Sequence, residues 1–251
     1  LFRSLGDGPG WQAAVENRQF ICNDIAADAS LPLRERLLEY GYRSLALLPV
    51  RVGGKLDAGI LLYARERDFF NAEETHLLLS VAADLGYALE RMRQVAQLEY
   101  LANYDPLTGL LNRDGLARSA HEHLAIARRG QQLLPWLVFN IERFDSVNES
   151  LGRQAGDQLL QEVARRLKEK FGEAVGLARV DTDQFAVVLP PVDYAGVVAR
   201  FIEQRLSPLL SEPVQIADMA LHPTSRVGIA LAPTDGVEEI GRASCRERLY
   251  I

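Results

Sequence analysis

Residues 104–113 read Tyr104-Asp105-Pro106-Leu107-Thr108-Gly109-Leu110-Leu111-Asn112-Arg113, and this run divides the chain. A proline pushes the residue before it out of helical backbone, so a helix arriving from upstream ends here. Upstream, residues 45–52 and 55–64 are apolar, strand-like runs joined by Gly53-Gly54. Two glycines there signal a tight hairpin, whose central positions favour positive φ. Asn71 reads as an N-cap, with Glu73 and Glu74 where carboxylates meet the positive end of a helix dipole. Along that helix, about residues 72–103, Leu78, Val81, Leu85, Ala88, Met92 and Val95 recur in steps of three and four. The a/d stripe continues without Pro or Gly after Gly86, so 78–95 is expected to pair two copies as a homodimer. The alternative is a helix packed only on its own sheet.

Downstream, helices are expected at 114–129, 156–171 and 194–206. Strands are expected at 134–141, 175–180, 185–189 and 225–231, the second and third flanking the turn Asp181-Thr182-Asp183-Gln184. Helices interleaved with short strands make this an α/β chain of the α+β sandwich type around a central sheet.

Bulk properties narrow the function classes. A chain of 251 residues is long enough for two domains. A net charge of −6 with no basic stripe excludes nucleic acid as an expected partner. No apolar run approaches the ~20 residues that span a bilayer, and no signal peptide is visible. The first residue is Leu1, so a longer parent protein is expected. Cys22 and Cys245 alone give no disulfide framework and fit a reducing cytoplasm. A membrane tether elsewhere in the parent stays open.

Two stretches resemble known families. Asn23-Asp24-Ile25, Gly41-Tyr42-Arg43-Ser44, the Leu-Pro-Val at 48–50, Gly53-Gly54, Phe70 and Glu73-Glu74 are similar to the second half of a GAF domain. That resemblance covers about 1–95 and implies a partial GAF sheet, with an unknown small molecule as its ligand. Residues 104–110 with Asn112-Arg113 resemble the opening of a GGDEF domain. Phe144, Asn148, Leu151-Gly152, Gly156-Asp157, Ala178-Arg179, Asp183 and Phe185 continue the likeness, as does Ser225-Arg226-Val227-Gly228-Ile229-Ala230. It covers about 104–239 and implies a palm-like domain with a central sheet, joined to the first by the long helix. Active members condense two GTP into cyclic di-GMP as dimers.

Joining a 3′-hydroxyl to an α-phosphate needs divalent metal held by carboxylates. The resemblance places these at the end of the first strand and in the turn that names the family. Here the strand position is Asn140, and the turn reads Asp181-Thr182-Asp183-Gln184-Phe185. Asp183 is retained as a weak ligand for Mg²⁺. Glu142 faces the same side as Asn140 by strand periodicity and is a possible substitute. Thr182 suits positive φ poorly, and Asp181 brings negative charge towards a triphosphate. Asp145 stands where the family has a phosphate-contacting lysine. If each of these changes cost about 1.4 kcal/mol of transition-state stabilisation, each would lose about tenfold in rate. No catalytic residue is therefore expected, and Asn140, Asp145, Asp181, Thr182, Asp183 and Gln184 read as vestigial.

Phe144, Asn148 and Asp157 match the family's guanine-contacting positions, so GTP is a possible ligand without being a substrate. The competing assignment makes Asn148 a turn residue and Asp157 a helix cap. Gly172 and Val175 occupy the positions of the family's inhibitory Arg-x-x-Asp, so product inhibition is not expected. His121 and His123 lie two apart on a helix and make a poor metal pair. Cys22 reads as a small buried strand residue.

Residues 240–251 depart from the family pattern and read as a non-native tail, resembling translated adapter DNA. The expected function is a sensor-coupled regulatory unit controlling a downstream EAL phosphodiesterase domain, which degenerate GGDEF domains often precede. The alternatives are a weak diguanylate cyclase using Asp183 and Glu142, and a nucleotide-free dimerisation scaffold.

Overall fold

Gly53 and Gly54 take φ values of 58° and 78°, and this left-handed pair closes the hairpin that organises the first half of the chain. The computed structural model describes residues 9–172, 174–206, 209, 212–216, 219–222, 224–235 and 247–250. It divides into two units, Leu1–Gln97 and Leu98–Ile251.

The first unit runs α1 (Pro9–Val15), β1 (Phe20–Cys22), α2 (Arg34–Glu39), β2 (Ser44–Val52), β3 (Lys55–Ala64) and into α3 (Ala72–Asn103). Its sheet has the order β1-β2-β3, antiparallel throughout. Alternation along β2 sends Leu45 to a cluster with Cys22, Ile25 and Leu31. The other face, with Ala46, Leu48 and Val50, packs beneath Phe70, Leu78 and Ala82. Asn71 Oδ1 accepts from the backbone N–H groups of Glu73 and Glu74 at 2.8 and 3.2 Å, capping α3 as its sequence predicts.

The helix α3 carries two faces. Thr75, Ala82 and Gly86 are buried on the sheet, and a β-carbon at Gly86 would collide with the backbone carbonyl of Arg51. Val81, Leu85, Met92 and Val95 are exposed. The heptad reading placed Leu78 on the outer stripe. It packs on the sheet instead, because Ala82 and Gly86 follow it on the same face at helical spacing.

The second unit runs α4 (Arg113–Arg129), β4 (Leu134–Ile141), α5 (Phe144–Leu151), α6 (Arg153–Lys170), β5 (Gly176–Arg179), β6 (Gln184–Val188) and α7 (Gly196–Phe201). A π-helical turn at 202–206 follows, then β7 (Val214–Ile216), β8 (Met219–Leu221), β9 (Ser225–Ala232) and β10 (Glu247–Tyr250). The five-stranded sheet has the order β10-β9-β4-β6-β5, and β7-β8 form a separate hairpin. One sheet face packs Leu137, Phe139, Ile141 and Phe185 on Leu159, Leu160, Val163 and Leu167 of α6. The opposite face packs Ala178, Ala186 and Val188 on Leu116, Ala120 and Leu124 of α4. Two covered faces make the expected sandwich.

Three differences from the sequence reading have local causes. The helix α5 was not expected, and the helix expected from 156 begins three residues earlier, at Arg153, after Gly152 with φ 85°. The last helix is shorter, passing into a π turn after Phe201. Of the tail set aside at 240–251, residues 240–246 and 251 lie outside the described residues, and Glu247–Tyr250 runs antiparallel beside β9.

Candidate functional site

The strand register assembles the site. Asn140, near the end of β4, is paired with Gln184 of β6 on one side and with Arg226 of β9 on the other. Cross-strand partners in antiparallel sheets project from the same face, so these three side chains form a row. Glu142 lies just past the end of β4, and its carboxylate accepts from Arg226 Nη2 at 2.9 Å. Its backbone N–H donates to Thr224 O at 2.8 Å, which ties the two strand ends together.

The turn beside the row is held from below. Arg179 donates to Thr182 O through Nη2 at 2.6 Å, and its Nη1 lies 3.3 Å from the Asp105 carboxylate. Both partners of that ion pair are mostly buried, at 14% and 18% exposure. Asp105 also accepts from the Thr108 backbone at 2.8 Å, so the run that divides the sequence is joined to the turn. Asp181 Oδ1 accepts from Thr182 N at 2.8 Å. Among the described residues, positive φ outside glycine occurs at Asn17, Leu33, Asp68, Gln131 and Arg143. Asp181 and Thr182 thus form a turn without the left-handed backbone that two glycines would permit.

Phe144 is buried at the start of α5, and Asn148 lies one turn further on. A β-carbon at Gly156 would collide with the Asn148 amide and meet the Phe144 ring at 3.1 Å, so this glycine lets α6 close onto α5. The helix-cap role for Asp157 is not found. The N-cap of α6 is Gly152, and Asp157 is the fifth helical residue, exposed. Asn148 sits inside α5 and is not a turn residue. Asn148 is half-buried with its amide against Gly156, and Asp157 is exposed. Asp145 is exposed in the first turn of α5.

The residues present do not fit a resident Mg²⁺. Among the described residues no group of three His, Cys, Asp or Glu could hold a metal. Asn140 and Gln184 bring neutral amides to a hard cation that prefers carboxylates, and the Glu142 carboxylate is engaged by Arg226. His123 turns Nδ1 to Ser119 O at 2.9 Å. Sequence reading missed Arg226; a lone arginine in an otherwise apolar strand was its signal.

In the first unit, an apolar cleft between α1, α2 and the sheet is lined by Trp11, Phe20, Leu31, Leu37, Leu47 and Tyr63. Burial pushes the Tyr63 phenol above its usual range, and Tyr42 stacks on its ring at 4.9 Å. Burial likewise raises the Cys22 thiol, which works against a reactive thiolate.

Comparison with known proteins agrees with this architecture. The family described as "Diguanylate cyclase, GGDEF domain" matches residues 102–244, and the GAF domain family matches residues 1–90. The chain belongs to the GGDEF family, with a GAF domain ahead of it. It is 33% identical over 142 residues to the cyclic di-GMP phosphodiesterase NbdA of Pseudomonas aeruginosa, covering 56% of this chain and 18% of that one. The diguanylate cyclase TpbB of the same species is 32% identical over 139 residues, covering 55% of this chain and 32% of that one. The chain therefore spans a third or less of these relatives. Among solved structures, a sensory box/GGDEF protein of Caulobacter crescentus superposes with a TM-score of 0.53 at 32% identity, covering 57% of this chain and 93% of that one. The coiled coil and GGDEF domain of DgcB, from the same organism and in complex with c-di-GMP, gives 0.53 at 25% identity over 68% and 90%. No helix among the described residues is long and apolar enough to cross a membrane.

Proposed function

We propose that this chain is the regulatory part of a longer cyclic-di-GMP signalling protein and makes no cyclic di-GMP itself. The GAF unit receives an input, a small apolar molecule in the cleft beside α1 and α2. Two copies pair through Val81, Leu85, Met92 and Val95 of α3, an exposed stripe at the spacing two helices need. The GGDEF unit takes up GTP as a ligand through Phe144, Asn148 and Asp157, and passes its state to a downstream EAL phosphodiesterase domain.

The observation that carries this reading is the pairing of two amides, Asn140 and Gln184, where the condensation reaction needs carboxylates for metal. The Glu142 carboxylate is already engaged by Arg226, and metal binding there would have to displace that bond. The phosphodiesterase name of NbdA is in keeping with an output domain of that kind.

The test is to incubate the purified chain with GTP and MgCl₂ and quantify cyclic di-GMP by mass spectrometry. No product above a protein-free control is expected. Product that disappears in Asp183→Ala would instead establish a weak cyclase using Asp183 and Glu142.

A further inference from the structure

Two rows of side chains cross the three-stranded sheet of the first unit. Phe20, Leu47 and Leu61 are paired in register, and so are Cys22, Leu45 and Tyr63. Partners across an antiparallel sheet project from the same face, so the first row and the Leu45–Tyr63 pair floor the apolar cleft. The helix α1 closes onto that floor, for a β-carbon at Gly10 would lie 3.2 Å from Leu47 and 3.3 Å from the Phe20 ring. Trp11 of α1 and Leu33, the N-cap of α2, border the cleft and remain 38% and 60% exposed. Apolar surface left in water beside a cleft is surface that a ligand can bury.

The lining also restricts what that ligand can be. None of the residues that line the cleft is charged. A carboxylate or phosphate drawn into it would lose water and gain no counter-ion, which excludes nucleotides. Three of the lining side chains, Trp11, Phe20 and Tyr63, are aromatic, and rings favour another ring in offset or edge-on contact. Side-chain polarity in the lining is confined to the Tyr63 hydroxyl and the Trp11 indole N–H. Burial raises the Tyr63 phenol, so it stays protonated at neutral pH. A hydroxyl serves a donor or an acceptor on a ligand, whereas an indole N–H serves an acceptor alone.

We propose that the cleft takes a small uncharged aromatic molecule, a phenol in type, whose single polar group hydrogen-bonds to the Tyr63 hydroxyl. The proposal rests on the reading of this cleft as the input site, and adds to it the ring, the neutrality and the one polar group.

The experiment is isothermal titration of the whole chain with phenol, toluene, cyclohexanol and benzoate. Phenol should bind more tightly than cyclohexanol, which keeps the hydroxyl without the aromatic ring, and benzoate should not bind. Tyr63→Phe should weaken phenol about tenfold, equivalent to about 1.4 kcal/mol, and leave toluene unchanged. A general disturbance of the fold would weaken both. Leu33→Gly should weaken phenol and toluene alike, about threefold. Its melting temperature should not fall, because glycine suits the φ of 61° at that position. Equal binding of cyclohexanol and phenol, binding of benzoate as tight as phenol, or a Tyr63→Phe chain that holds phenol undiminished would each overturn the proposal. Each would leave the cleft standing as an input site. Unchanged binding in Leu33→Gly would place the molecule elsewhere and overturn it too. Absence of binding by all four would remove the input reading and the proposal together, leaving the reading of the GGDEF unit untouched.

Discussion

Replacing Asn140 and Gln184 together by Asp and Glu puts two carboxylates opposite each other across β4 and β6. Directly paired residues in an antiparallel ladder lie about 5 Å apart. At an effective dielectric of about 20, that separation gives a repulsion of about 3 kcal/mol. Arg226, on the other side of position 140, offsets part of it, so a net loss of about 1–2 kcal/mol is expected without metal. Mg²⁺ at about ten times its dissociation constant would restore about 1.4 kcal/mol, which for a domain of this size is about 3–6 °C in Tm. The assay is thermal unfolding by circular dichroism, with EDTA and with MgCl₂, for the native chain and Asn140→Asp/Gln184→Glu. The native chain should not respond to the ion. The variant should melt lower in EDTA and recover with Mg²⁺, and more strongly once Arg226→Ser is added. A native chain that gains as much from Mg²⁺ as the variant would refute the reasoning, because the amides would then be holding metal.

Three further outcomes follow from single contacts. Gly86→Ala gains up to about 1 kcal/mol of helix propensity, yet its new methyl meets the Arg51 backbone, which no rotamer change can relieve. A net loss of about 1–2 kcal/mol in urea unfolding is expected, and a stabilised variant would show that α3 does not sit on the hairpin. Asp105→Asn weakens both the Arg179 ion pair and the Thr108 contacts, for a loss of about 2–3 kcal/mol. Combined with Arg179→Ala the losses should fall short of additive, and full additivity would mean the two groups are uncoupled. The Glu162 carboxyl is held down to about 2 by hydrogen bonds from Arg165 and then Arg166. Its folded pKa lies below the unfolded value, so its contribution is present above about pH 4.5 and is lost as pH falls towards 2. Half-exposed Arg165 screens the effect to about 1 kcal/mol, and Glu162→Gln should flatten the acid limb of a stability–pH curve by that amount.

What was legible in the sequence was local. Gly53-Gly54, the Asn71 cap and the apolar alternation of β4 each declare their structure within a few residues. The helix α5 was not legible, because eight residues are too short a run for helical spacing to declare itself, and the positive φ of Gly152 sets it apart from α6. The turn at Asp181-Thr182 was read through the glycines it lacks, whereas its backbone simply takes a form suited to its own residues. The amides of the site could be named from their positions. Arg226 could not, since it reaches Glu142 from 84 positions away and only the register of β9 against β4 brings the two together. Asp157 was misjudged by proximity to a helix start that lies three residues earlier than expected.

The helix α3 is 32 residues long, about 48 Å at 1.5 Å per residue, and every side chain from 91 to 102 is exposed. Arg93 is tied to Asp57 at one end of that stretch and Ala102 to Arg118 at the other, and between those points the continuity of the stripe constrains insertions. Adding seven or eleven residues returns Met92 and Val95 to within about 20° of the line drawn by Val81 and Leu85. Adding five turns them by about 140°, to nearly the opposite side of the rod. Natural variation in this segment should therefore be quantised, with lengths clustering at intervals of seven and eleven and a gap near five.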